Sequence, residues 1–101
     1  GTSKEIGELI AHELGAELSN LAIYGREGTG ERGKGTIGYH SVRMGDTPSS
    51  HTVFFGGFGE RLEISHHSTD WRVFAKGACD CALFLAKQPP GNYSVSDVLK
   101  I

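Results

Sequence analysis

No stretch of this chain stays apolar for more than about five residues, whereas a helix spanning a bilayer needs ~20. A spanning helix is therefore excluded, and the opening residues GTS, which lack a Met, show no signal-peptide pattern and leave the natural N-terminus open. Positive charge is not in excess either: ten Lys and Arg stand against twelve Asp and Glu, for a net charge of −2. Duplex nucleic acid is held through its phosphates by cationic side chains, so it is disfavoured as a partner. Cysteine is scarce. Cys79 and Cys81 are separated by one residue, where a disulfide would close a strained ring. Two reduced thiols suit a cytoplasmic protein. Nothing in the 101 residues resembles a linker or a repeat. The expectation is one small globular domain, residues 1–101, able to bury a core without a metal or a staple.

Glycine, by contrast, is plentiful. Ten of the fifteen glycines lie between Gly25 and Gly59, so the middle of the chain needs unusual backbone angles or close approaches. The stretch GTGERGKGT, residues 28–36, contains G-x-G-x-x-G as Gly28, Gly30 and Gly33. It also contains the front of a phosphate loop as Gly28, Gly33 and Lys34. Both motifs require a strand before and a helix after, because the helix N-terminus supplies the N–H groups that hold the anion. LAIYG (21–25) reads as the strand, but TIGYHSV follows with a β pattern, and Gly35 stands where Ser or Thr would reach magnesium. The stretch reads instead as the mobile tip of a hairpin, held open by Arg26, Glu27, Glu31, Arg32 and Lys34 and ordered by a partner.

Around this loop the apolar spacing changes period. Ile6, Leu9, Ile10, Leu14, Leu18 and Leu21 recur at intervals of three and four, which predicts an amphipathic helix over 3–21. Thr2 with Glu5 forms a capping-box pattern, and Ser3 is the rival cap. From residue 21 onward the period is two. TIGYHSVRM (36–44), HTVFF (51–55), RLEISHH (61–67) and WRVFAK (71–76) read as strands joined by turns too short for crossover helices. ACDCALFLAKQ (78–88) suits either a helix or a central strand and leans to strand. The tail adds a short helix from Ser96 or an edge strand. The fold expected is α+β, with the N-terminal helix packed on a roughly five-stranded antiparallel sheet.

Several groups could carry chemistry. His66, His67, Cys79 and Cys81 include zinc-ligand types, but neighbouring strand residues point to opposite faces, so no metal site is expected. His40, Glu60, Arg61, Glu63 and His66 are the residue types of a metal-independent ribonuclease, which needs a base, an acid and a cation. A helical 78–88 would set Cys79 or Cys81 near a helix N-terminus, where the dipole activates a thiol, with His40 or His51 as base. The order His then Cys, with YHS (39–41) and VFFGG (53–57) upstream, resembles permuted papain-fold peptidases over about fifteen residues. The span from those glycines to the cysteine is far shorter here than in that family.

None of these constellations stands above chance, whereas the charged loop and the two-faced aromatic pair Phe54–Phe55 suit recognition. The reading is a small non-catalytic binding or interaction domain that uses the Gly25–Gly38 loop and an exposed sheet face. Its binding residues would be Arg26, Arg32, Lys34 and Tyr39, with no cofactor. A small hydrolase is the alternative, either a cysteine hydrolase or the ribonuclease, drawing on His40, His66, Cys79 and Cys81. A protein partner or homodimer would cover the second sheet face. His66 should lie partly buried beside Leu62 and Ile64, with His67 exposed on the other face.

Overall fold

The computed structural model describes residues Gly1–Ile101, whose contacts fall into two compact units, Gly1–Asp46 and Thr47–Ile101.

In the first unit, helix α1 spans Thr2–Glu13. Its cap is Gly1, whose carbonyl accepts the N–H groups of Lys4 and Glu5, rather than Thr2 or Ser3. The helix predicted over 3–21 is divided. Gly15 adopts φ +67, a left-handed conformation that ends helices and that only glycine enters without steric cost. A single turn, α2 (Leu18–Leu21), follows. The residues α1 and α2 bury are Gly7, Ala11 and Leu18, while Leu9 and Leu14 of the expected stripe are exposed. Small residues face inward because an aromatic side chain comes close. A Cβ built on Gly7 would overlap the Tyr39 hydroxyl and would also touch Leu18 Cδ1 at 3.2 Å.

Tyr39 ends strand β2 (Ile37–Tyr39), which pairs with β1 (Ala22–Tyr24) in the register Ala22↔Ile37, Ile23↔Gly38 and Tyr24↔Tyr39. The Tyr24 and Tyr39 rings stack at 5.1 Å and 23°. This pair is parallel. Parallel neighbours cannot be joined by a tight turn and need a connection of roughly a dozen residues. The glycine-rich stretch is thus a crossover and not a hairpin tip.

In the second unit, β3 (Ser49–Gly57) and β4 (Glu60–Ser68) form an antiparallel hairpin whose register runs from Ser49↔Ser68 to Gly57↔Glu60. Phe58 and Gly59 make the turn, with Gly59 at φ +72. Alternation puts Val53, Phe55, Leu62 and Ile64 on one face. Phe54 lies on the other, with the Arg61 guanidinium 5.7 Å from its ring centroid. Both faces leave apolar side chains exposed.

The remaining strands of the expected sheet do not form. Residues 72–85, covering most of WRVFAK and ACDCALFLAKQ, are helix α3 (Arg72–Leu85). The alternation over 71–76 is too short to outweigh the helix-forming alanines at 75, 78 and 82. Local contacts also fit the helix: Asp70 Oδ1 accepts the Arg72 N–H at 2.8 Å, Trp71 meets Phe74, and Lys76 pairs with Asp80 one turn on at 2.6 Å. A short α4 (Val95–Leu99) follows, capped by Ser94, whose N–H and hydroxyl both donate to Asp97. The five-stranded antiparallel sheet is therefore replaced by two separate two-stranded sheets, one of them parallel. No helix is long and apolar enough to cross a membrane.

The chain exposes 8955 Å². Two independent compact monomers of half its mass would together expose about 6,700 Å². Among large apolar residues only Leu18 is buried.

Overpacking at the Gly7–Tyr39 contact gives a direct test. Gly7→Ala should destabilise the chain by ~1–3 kcal/mol in urea titration. Tyr39→Phe should be close to neutral, because the hydroxyl is buried without a partner. The double variant should recover part of the Gly7→Ala loss, and strict additivity would show that the two positions do not touch.

Candidate functional site

The crossover between β1 and β2 carries three exposed cations, Arg26, Arg32 and Lys34, together with two exposed acids, Glu27 and Glu31. Gly25, Gly28 and Gly35 hold φ values of +72, +70 and +69, angles that side-chain-bearing residues rarely adopt, and this sets the path of the loop. Gly25 N–H donates to the Tyr39 carbonyl at 2.8 Å, tying the start of the loop to the end of β2. Arg26 Nη2 donates to the Gly30 carbonyl at 3.1 Å, and the Thr36 hydroxyl donates to the Gly33 carbonyl at 2.8 Å. Arg26, Arg32 and Lys34 are exposed, and none of them is ion-paired. Exposed cations can hold an anion through charge-assisted hydrogen bonds. No helix begins where a phosphate loop would need one, since β2 follows directly.

Tyr39 belongs to the packing of this unit. Its hydroxyl is buried without a partner. Burial, and then the charges of Tyr24 and Glu8, raise its pKa above the ordinary tyrosine value. Lys4, Glu8, His12, Glu17, Leu18 and Tyr24 line an open depression of about 520 Å³. Lys4 and Glu8 pair across one helical turn at 3.7 Å.

The catalytic candidates do not assemble. No three His, Cys, Asp or Glu side chains converge as a metal site would require. Cys79 is exposed and Cys81 half-buried. Both lie about two turns into α3, beyond the first turn where the helix dipole acts on a thiol. On a helix, positions two apart diverge, so the two sulfurs do not share the face a strand would have given them. The ribonuclease set is also divided. Glu60 and His66 share one face of β4 but lie about 20 Å apart along it, while Arg61 is on the other face, paired with Glu63 at 3.0 Å. His40 is exposed just past β2, and His66 is exposed rather than partly buried. His67, exposed as expected, bonds the Ser50 hydroxyl through Nδ1 at 2.7 Å.

One arrangement escaped the sequence reading. His51 and His66 are direct cross-strand partners, and His51 Nε2 lies 3.1 Å from the Ser49 hydroxyl. Single-strand alternation shows which residues share a face, but register decides which of them stand opposite each other.

Comparison with known proteins adds what geometry alone does not. Residues 1–99 match the family described as dihydrodipicolinate reductase, C-terminus. A 4-hydroxy-tetrahydrodipicolinate reductase of Halorhodospira halophila is 46% identical over 102 residues, covering 100% of this chain and 38% of that protein. Reductases of the same name from Pseudoalteromonas atlantica and Cupriavidus necator are each 49% identical over 100 residues, covering 98% of this chain and 38% of theirs. The chain thus spans somewhat over a third of the length of these relatives. They are enzymes, which overturns the expectation of a non-catalytic interaction domain of unknown function. They are also reductases, which removes the hydrolase alternative.

The Asp70–Arg72 pair, at the start of α3, supplies a test by titration. Hydrogen bonds from the Arg72 side chain and backbone hold the Asp70 carboxyl below its ordinary 3.8. A lowered folded-state pKa means that the pair supports the fold above the ordinary aspartate range and is lost as pH falls through the lowered value. The Asp70 carboxyl carbon should titrate below 3.8 by NMR, and Arg72→Ala should return it toward that value. A normal titration in the parent chain would show that the pair does not persist in solution.

Proposed function

The chain belongs to the dihydrodipicolinate reductase C-terminal family, and from that premise we propose that it forms part of a 4-hydroxy-tetrahydrodipicolinate reductase. The observation that carries this reading is identity of 46–49% sustained over essentially the whole chain. Within that protein, residues 1–101 act as a single domain of a cytoplasmic enzyme.

The substrate named for the relatives is a dicarboxylate, and a site that holds carboxylates out of bulk water needs cations and N–H donors. In this reading Arg26, Arg32 and Lys34 on the crossover supply them, and Tyr39 holds the base of that loop through its backbone bond to Gly25. The same reading includes self-association through the exposed face of Val53, Phe55, Leu62 and Ile64. The support is the excess of exposed surface: a stable dimer buries about 800 Å² per partner, well within that excess.

In the complete protein that carries this chain, reduction of 4-hydroxy-tetrahydrodipicolinate should be measurable. Arg32→Ala and Lys34→Ala should each raise KM for the dicarboxylate by about tenfold with a smaller change in kcat, the loss of one charge-assisted hydrogen bond. Absence of turnover on this substrate would defeat the assignment, and an unchanged KM would remove the loop from it. Leu62→Asp with Ile64→Asp should lower the sedimentation coefficient of the complete protein. An unaltered assembly would exclude this face as the contact.

A further inference from the structure

Within the crossover, residues 33–36 form a turn that a side chain closes. Gly35 stands at φ +69, and the Thr36 hydroxyl donates to the Gly33 carbonyl at 2.8 Å. The Thr36 methyl folds over the same glycine, since a Cβ built at position 33 would meet Thr36 Cγ2 at 3.2 Å. A hydroxyl bonded to a backbone carbonyl a few residues away restricts the backbone between them. Lys34 lies inside that closed segment. Residues 25–35 are all exposed, and Thr36 is the first half-buried residue after them. It immediately precedes β2, whose Ile37 pairs with Ala22 of β1. The bond to Gly33 therefore ties the backbone of Lys34 to the paired strands. Arg32 lies outside the closed turn, and Arg26 is tied separately, to the Gly30 carbonyl at 3.1 Å.

We propose that Thr36 is a positioning residue for Lys34, holding its backbone where the ammonium can meet a carboxylate of the substrate. The inference rests on the reading that the crossover binds the dicarboxylate. A lysine on free backbone must have both its chain and its side chain ordered when an anion binds, and that entropy is subtracted from the affinity. With the backbone already held, only the side chain remains to be ordered. The Thr36 hydroxyl is committed to Gly33 and acts through Lys34, without touching the substrate. The neighbouring acids do not occupy the lysine, which forms no ion pair. Because the effect belongs to binding, it falls on KM more than on kcat.

Steady-state kinetics of the complete protein on 4-hydroxy-tetrahydrodipicolinate test this role. Thr36→Val keeps the β-branched shape, suits a half-buried position before a strand, and removes only the hydroxyl. It should raise KM by about threefold with a smaller change in kcat, the loss of one neutral hydrogen bond. Thr36→Ser keeps the hydroxyl and should hold KM near that of the parent. In a Lys34→Ala background Thr36→Val should add nothing, whereas combined with Arg32→Ala its effect should multiply in full. General support of the loop would instead act alike in both backgrounds. An equal effect in the two backgrounds, or a serine variant as impaired as valine, would overturn the proposal. If Lys34→Ala raises KM and Thr36→Val does not, this inference alone fails. If Lys34→Ala leaves KM unaltered, it fails together with the role of the loop in binding.

Discussion

Apolar surface without cover inside the chain constrains both compact units. Burying a Val, Leu, Ile or Phe side chain contributes about 1.5–3 kcal/mol, and that contribution is what offsets the entropy of ordering a small chain. Here Phe54, Phe55, Leu62 and Ile64 on the hairpin, and Trp71, Val73, Phe74, Leu83 and Leu85 on α3, remain exposed. The first unit covers Ala11 and Leu18 and little else. Its inward contact is a glycine meeting a tyrosine, where close approach does the work that bulk does elsewhere. The hairpin is held by its ladder and by side-chain pairs such as Thr52 with Ser65. A two-stranded sheet with both faces open is marginal in water. The relatives are more than twice as long as this chain.

The same constraint bears on the chemistry. A catalytic constellation needs side chains from separate elements held by a packed surround. Apart from the cross-strand pairs Ser50–His67 and Thr52–Ser65 of the hairpin, the polar groups pair with sequence neighbours: Asp70 with Arg72, Lys76 with Asp80, Ser94 with Asp97, Arg61 with Glu63. Such pairs support the local elements that carry them. The cations of the crossover are an exception, placed by the parallel register of β1 and β2.

Local signals in the sequence determined the local elements. The apolar recurrence from Ile6 to Ile10 marks α1, and alternation with a GGFG turn marks β3 and β4, since a hairpin's partner is its neighbour along the chain. The glycines of 25–36 marked that stretch as a loop. The sequence also carried its family membership, though as residue-by-residue identity with relatives, which neither periodicity nor motif spacing exposes. Only the tertiary structure decided that Ala22–Tyr24 runs parallel to Ile37–Tyr39, that Gly7 faces inward against Tyr39, and that His51 stands opposite His66. The physical reason is common to these three. Each depends on which distant segment supplies the neighbour, and an alternation of six residues or a glycine in a helix has the same appearance in the sequence whichever neighbour arrives.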